Sequence, residues 1–272
     1  MAGEAQLIDT FPTFLEYWDG TKKGWLGYIS RYPELFEKIT WDYERYKINW
    51  KEYLEIVIKK VEIEKLKAAH NALMSSLKEV LHRAHAMFDI NEDYIIVIYV
   101  GLENGAGWVT EFKGKPAILF GLEAIANLDW AEKVKGLIAH EFGHLVHWLI
   151  RGENIEEIED EQIMWLYTEG FAQRIEDILT GRPWHLEEEG WSEWCERNEE
   201  MIKQEFLRRI ENGEPLNPFP FFGSWYQLFG KQFLGYYLGY KFIVWLERQY
   251  ELTEIARLEK NMIKEKIMEF LT

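Results

Sequence analysis

The pentapeptide His-Glu-Phe-Gly-His at residues 140 to 144 places two imidazoles and a carboxylate inside an apolar stretch of the chain. Residues four apart on an α-helix share a face, so a helix here would point His140 and His144 at one metal ion. Glu141 would point about 100° away from His140, within reach of a water molecule at the metal. Burying three ionisable groups is costly unless a metal or hydrogen-bond partners satisfy them. The pattern therefore predicts a catalytic zinc site with Glu141 as the general base.

A catalytic zinc site needs a third protein ligand and an open position for water. Glu169 is the candidate, because it lies in a second apolar helical stretch and precedes Gly170, which would let another backbone come close. At this point residues 94 to 245 resemble the gluzincin metallopeptidases, in which HExxH is followed on a second helix by a Glu-Gly-Phe-Ala-type segment. Within that group, the layout is most similar to a family of predicted zinc-dependent proteases with a C-terminal Gly-Tyr-x-x-Gly-Tyr segment.

The resemblance implies a zincin-like fold and one zinc ion per chain, bound by His140, His144 and Glu169, with Glu141 as the base. In many gluzincins an Asp four residues after the Glu ligand orients the first His. This chain has Gln173 at that position. Its side chain could accept a hydrogen bond from His140, but without the charge of a carboxylate.

Peptide hydrolysis also needs a donor that stabilises the oxyanion of the tetrahedral intermediate. Tyr236 and Tyr240 lie one helical turn apart, and the glycine before each would let their helix approach the zinc helix closely. Both tyrosines would fit equally well as core residues. The resemblance favours Tyr236, the first Tyr of the Gly-Tyr-x-x-Gly-Tyr segment, with Tyr240 and then His147 and His185 as alternatives.

The composition narrows the function classes. Among 272 residues, 31 Lys and Arg stand against 47 Asp and Glu, for a net charge of −16. Such a chain repels the phosphate backbone, so nucleic acid is not expected as a partner, whereas a peptide or protein substrate is. The single Cys195 excludes an internal disulfide and a thiolate zinc cage, so any metal ligands must be His, Asp or Glu. Without a long apolar run or a signal-peptide pattern, we expect no membrane insertion and a cytoplasmic location.

The pattern of elements predicts an α+β fold. Residues 33 to 88 recur in apolar side chains at helical spacing, which predicts two or three helices. Three short segments, 94 to 101, 107 to 112 and 117 to 121, predict a small, mostly antiparallel sheet with a hairpin turn at Lys-Gly-Lys-Pro.

The zinc helix is expected to begin with a capping box at Asp129 and Glu132 and to end at Arg151 and Gly152. The Glu169 helix is predicted over 161 to 179 and further helices over 193 to 211, 230 to 249 and 253 to 270. We expect three parts around one active-site cleft and in one compact catalytic unit: an N-terminal helical region (1–90), the sheet with the HExxH helix (91–152), and a helical lobe carrying Glu169 (153–272).

Two other functions compete with a peptidase. Glu79 and His82 form a second E-x-x-H, so with Glu141 and His144 they would suit a ferritin-like di-iron bundle, although the predicted sheet interrupts such a bundle. A zinc-stabilised binding protein without catalysis is the other alternative, but it would not need Glu141.

The sequence leaves open endopeptidase against aminopeptidase activity, side-chain preference, natural substrate and oligomeric state. The acidic segment 153 to 161 is either a solvated loop or, at a cleft rim, a feature that favours cationic or free-amine peptides. The strand at 117 to 121 could pair an extended peptide or lie buried in the core.

Overall fold

The computed structural model describes residues 3–45, 47–128, 130–159, 161–183, 185–216, 220–223 and 226–272. The chain divides into two compact units, Met1–Ile138 and Ala139–Thr272. Helices and one four-stranded sheet make it an α+β protein, as predicted. The division into three parts at residues 90 and 152 stays a prediction.

The sheet belongs to the first unit and has the strand order β1-β2-β4-β3. Its strands are β1 (Ala5–Asp9), β2 (Tyr94–Tyr99), β3 (Gly107–Phe112) and β4 (Lys115–Gly121). β1 and β4 both pair with β2 in parallel, and only β3 and β4 are antiparallel. The prediction of a mostly antiparallel sheet is therefore wrong. All six residues of β2 are buried, which is typical of a central strand in a parallel sheet covered on both faces.

The hairpin between β3 and β4 is confirmed. Lys113 and Gly114 form its two-residue turn with φ of 53° and 70°, the left-handed values that a type I′ turn needs. β4 itself lies between β2 and β3, so it has no free edge and cannot pair an extended peptide as considered above. Among the described strands, the sheet edges are β1 and β3.

The first unit also contains short N-terminal helices that the sequence did not predict and three helices in the region where two or three were predicted. On the longest, Leu66, Leu73, Leu77 and Val80 are buried at spacings of three, four and seven, the pattern of one apolar face. The helices are α1 (Phe11–Tyr17), α2 (Lys22–Ile29), α3 (Pro33–Arg45), α4 (Trp50–Lys60), α5 (Ile63–Met87) and α6 (Leu122–Ile125).

The HEFGH motif lies on α7 (Trp130–Arg151), as predicted. Gly152, at φ 77°, follows its last residue, and the predicted start at Asp129 lies outside the described residues. Glu169 lies on α9 (Trp165–Thr180), which follows α8 (Ile155–Ile158) and a 3-10 turn at Gln162–Met164 and is capped by Gly181 at φ 77°.

The rest of the second unit is helical. The segments predicted as helices 193–211 and 253–270 are each split in two, and the segment 230–249 forms one shorter helix. The elements are α10 (Trp191–Arg197), α11 (Glu199–Asn212), α12 (Leu234–Leu246), α13 (Leu252–Ile255) and α14 (Lys260–Leu271). In the described part of the chain, no helix has the length and apolar character required to cross a membrane.

Candidate metal centre

Small residues bring three helices of the second unit into close contact. A Cβ atom on Gly143, inside the HEFGH motif, would lie 2.7 Å from the Cα of Ala172 on α9. A Cβ on Gly170 would lie 2.2 Å from the carbonyl oxygen of Gly239 on α12. Gly170 therefore admits another backbone, as predicted, but Gly239 approaches the Glu169 helix rather than the zinc helix as expected. Glycine at these positions lets α7, α9 and α12 pack at backbone contact distance.

The three predicted metal ligands meet. His140 Nε2 lies 3.1 Å from Glu169 Oε2 and 3.2 Å from His144 Nε2, and His144 Nε2 lies 3.4 Å from Glu169 Oε2. Tetrahedral zinc with ligand distances near 2.0–2.1 Å separates neighbouring ligand atoms by about 3.3–3.4 Å. The spacing of the three atoms therefore fits a zinc ion.

The hydrogen bonding of His140 also fits a cation. Its Nδ1–H donates to Gln173 Oε1 at 2.9 Å, the contact predicted for this glutamine. The neutral ring then carries its lone pair on Nε2, which faces the carboxylate of Glu169. Two acceptor atoms at 3.1 Å repel unless a proton or a metal ion lies between them.

Without a metal, a proton fills this role. Burial raises the pKa of Glu169, but the imidazoles of His144 and His140 outweigh it and lower the value to about 2. Burial lowers the pKa of His144, and the carboxylate of Glu169 more than reverses this and raises it to about 9. The metal-free centre at neutral pH is therefore an ion pair of Glu169 with a protonated imidazole, and a metal must displace that proton.

Glu141 lies beside the three predicted ligands but is not one of them. Its side chain is buried, and its carboxylate makes no hydrogen bond or ion pair with any described residue. It belongs to neither group of described residues whose ligand atoms lie within 4.8 Å of one another. Burial raises its pKa, and the nearby His140 and His144 oppose this shift. An uncommitted carboxylate next to three ligands is what a general base requires.

Of the three tyrosines on α12, Tyr237 and Tyr240 have hydrogen-bonded hydroxyl groups, whereas Tyr236, among the described residues, does not. The ring of Tyr236 lies 5.9 Å from that of His140, and its hydroxyl has no hydrogen-bond partner within the described ranges. Tyr240 donates to Asp177 at 2.9 Å and Tyr237 donates to Glu199 at 2.8 Å. Burial first, and then the charge of Glu169, raises the pKa of Tyr236 well above its usual value, so it stays an O–H donor.

Glu176 and His185 join the centre, and the sequence did not predict the first of them. His185 donates to Glu176 through both Nδ1–H and its backbone N–H, at 2.9 and 2.8 Å. Glu176 Oε2 lies 3.9 Å from Nδ1 of His140, so a carboxylate does lie behind the first histidine, beyond Gln173. The available signal was spacing, because Glu169, Gln173 and Glu176 follow one another by one turn each on one face of α9. Together His140, Glu176 and His185 form a second group that could hold a metal.

Glu159, in the acidic segment, also belongs to this region. Its Oε1 accepts a hydrogen bond from Thr168 at 2.6 Å, and Thr168 directly precedes Glu169. Burial raises the pKa of Glu159 to about 7, with a further contribution from the charge of Glu169. This carboxylate is therefore bound to α9 and influenced by the charge of Glu169 rather than solvated in a loop.

His147 is a packing residue. Tyr167 donates its hydroxyl to the carbonyl of Ile255 at 2.6 Å, so at 3.0 Å it accepts from Nε2–H of His147. The imidazole stacks on Phe171 with ring centres 4.3 Å apart and is fully buried. Burial holds its pKa well below the usual value. A neutral, enclosed ring cannot serve as the alternative oxyanion donor.

The residues of the di-iron alternative are not assembled into a metal centre. Glu79 forms an ion pair with Lys135 at 2.7 Å. Within the described part of the chain, neither Glu79 nor His82 belongs to a group of three potential ligands. The ligand set that ferritin-like proteins build from paired E-x-x-H motifs is therefore missing from these residues.

Comparison with known proteins adds no relative. No family model, no curated protein and no solved structure matches this chain. The assignment of a function therefore depends on the geometry around His140, His144 and Glu169.

Proposed function

We propose that this chain is a zinc-dependent peptidase of the gluzincin type. The observation that carries the proposal is the convergence of three ligand atoms at 3.1, 3.2 and 3.4 Å, beside a buried glutamate that no other residue engages. His140, His144 and Glu169 would hold the ion. Bound zinc lowers the pKa of a coordinated water and polarises a carbonyl group.

Protein side chains carry out the proton transfer and stabilise the oxyanion. Glu141 accepts the proton of the attacking water and passes it to the leaving amine, which its position beside the ligands allows. Tyr236 donates its free hydroxyl to the oxyanion that develops on the carbonyl oxygen.

Gln173 keeps His140 in one tautomer. Its Oε1 accepts from Nδ1–H, so Nε2 is the atom free to bind the metal. The carboxyl group of Glu176 lies 3.9 Å from the same nitrogen. Burial raises its pKa well above the usual value, so it supports His140 by its position behind the ring and not with the full charge of an aspartate.

Glu141→Gln tests the proposal. The variant keeps the shape of the side chain but loses the base, so zinc content should be unchanged while peptide hydrolysis falls by about 10³-fold or more. Zinc is measured by mass spectrometry on the purified protein, and hydrolysis by separation of the products of a mixed peptide library. Glu157→Gln, a change of the same type at an exposed position, is the control and should turn over at the parent rate. Undiminished hydrolysis in Glu141→Gln would refute the mechanism, and a parent protein with zinc but no hydrolysis would refute the peptidase.

A further inference from the structure

We propose that Glu159 binds the free α-amino group of the substrate, so that the centre removes residues from peptide N-termini. This inference rests on the proposed peptidase function and narrows its substrates to peptides with an unblocked N-terminus. Glu159 follows α8, and its carboxylate is fixed by Thr168, whose fully buried side chain donates to Oε1 at 2.6 Å. Thr168 directly precedes Glu169, so the carboxylate is fixed at the turn of α9 that carries the predicted ligand.

Glu159 lies close to the ligands but outside their shell. Its charge acts on His144 and on Tyr236, and the charge of Glu169 acts on it in turn. Even so, it belongs to neither group of described residues whose ligand atoms lie within 4.8 Å of one another. The Glu159 carboxylate is therefore coupled electrostatically to His144 and Glu169 without being one of the metal ligands.

The second oxygen of Glu159 is uncommitted. Of its two carboxylate oxygens, Oε1 has Thr168 as its partner, and no Lys, Arg or His nitrogen of the described residues lies within 4.0 Å of the carboxylate. A half-buried carboxylate next to a second carboxylate is unfavourable unless a cation joins them. The proposed mechanism uses His140, His144, Glu141 and Tyr236 and leaves Glu159 without a role.

A terminal ammonium group fits this position. In a peptide, the α-nitrogen lies only about 2.5 Å from the carbonyl carbon of the same residue, as standard bond lengths and angles dictate. A carboxylate that binds this nitrogen must therefore lie near the metal ligands without belonging to them, and Glu159 is outside both ligand groups while its charge acts on His144. The cationic end of a Lys or Arg side chain is several bonds further from the carbonyl and would need a carboxylate farther from the ligands. An ammonium group also supplies three N–H donors to an acceptor-only carboxylate.

Binding can be measured without turnover. The zinc-loaded Glu141→Gln protein is titrated calorimetrically with the peptide Ala-Leu-Ala-Leu, once with a free and once with an acetylated N-terminus. We expect the free peptide to bind about 10-fold to 100-fold more tightly, the range for a hydrogen bond to a charged group. Adding Glu159→Gln should bring this ratio to about 1. Adding Glu157→Gln, an exposed residue of the same segment with the same loss of charge, should leave it unchanged.

Three results would overturn the proposal: equal binding of the two peptides, a ratio that survives Glu159→Gln, or a ratio lost equally in Glu157→Gln, which would indicate diffuse charge. Zinc content and melting temperature of each variant show that the centre is intact. Measuring the hydrolysis of both peptides by the parent protein distinguishes a failure of the Glu159 role from a failure of the peptidase function. If the parent cleaves the acetylated peptide as fast as the free one, only the role of Glu159 is refuted. If the parent neither binds nor cleaves either peptide, the peptidase function is refuted as well.

Discussion

Removing Glu169 tests whether the three facing ligand atoms act as one metal site. In Glu169→Ala, α7 still presents both histidines, but the oxygen that lies 3.1 and 3.4 Å from their Nε2 atoms is gone. Structural zinc sites with four protein ligands bind with about 10–16 kcal/mol, or about 2.5–4 kcal/mol per ligand. Because 1.4 kcal/mol is a tenfold change, zinc affinity should fall by about 10²-fold to 10³-fold.

The assay is competition for zinc with a chromophoric chelator at fixed pH, using metal-free protein. Glu141→Gln is the matched control, because it removes a charge one residue from His140 without removing a ligand, and it should bind zinc with the parent affinity. Melting temperatures are compared in chelator. Without metal, Glu169 is paired with protonated His144, so its loss lowers the stability of the metal-free fold as well.

Unchanged zinc affinity in Glu169→Ala would refute the site described here. The alternative would then be the second group, formed by His140, Glu176 and His185. Glu176→Ala would release the metal in that case. In the proposed site the same change removes only a carboxyl group behind His140 and should weaken zinc binding by about 10-fold, the lower end of the range for such supporting groups.

The remaining predictions concern pH, the oxyanion donor and helix packing. Since the pKa of His144 is raised to about 9, zinc binding at pH 7 should release about one proton and strengthen as pH rises toward 9, as calorimetry in buffers of different ionisation enthalpy would show. The same raised pKa stabilises the metal-free fold below pH 6.5, a contribution lost as pH rises through about 9. Tyr236→Phe should lower kcat by about 10²-fold with KM nearly unchanged, whereas Tyr240→Phe should keep kcat and lower the melting temperature. Equal kcat in both would place the donor elsewhere. Gly170→Ala should destabilise the fold by several kcal/mol in denaturant titration, because its Cβ would lie 2.2 Å from the carbonyl oxygen of Gly239.

The sequence predicted what depends on local spacing. His140 and His144 meet because one helical turn separates them, and Gly152 and Gly181 end their helices because both adopt positive φ. The prediction that Glu169 lies close to these histidines had a different basis. It followed from the resemblance to a family and from the need for a third ligand, since nothing local brings α7 and α9 together.

What the sequence did not predict depends on distant partners. Strand β1 has only five residues, and it pairs with β2, which lies more than eighty residues further along the chain. Its half-exposed, partly polar pattern gave no strand signal by itself. The parallel order of β2 and β4 could have been inferred from the fully apolar β2, but the adjacent hairpin favoured an antiparallel sheet. Glu176 was missed, and Glu159 was considered only as part of the acidic segment 153 to 161, because glutamates in helical and acidic segments usually face solvent.

The charges around the centre connect the two proposals. The buried Glu141, Glu169 and Glu176 and the half-buried Glu159 lie around the histidines of the centre. No Lys or Arg nitrogen of the described residues lies within 4 Å of any of these four carboxyl groups. Imidazoles alone must balance these carboxylates in the metal-free protein. That balance is incomplete, because burial raises the pKa of three of them, Glu141, Glu159 and Glu176. A divalent ion among the ligands and an ammonium group at Glu159 would supply the missing positive charge. A substrate with a blocked N-terminus supplies none, so the same charge deficit that favours a metal also disfavours that substrate.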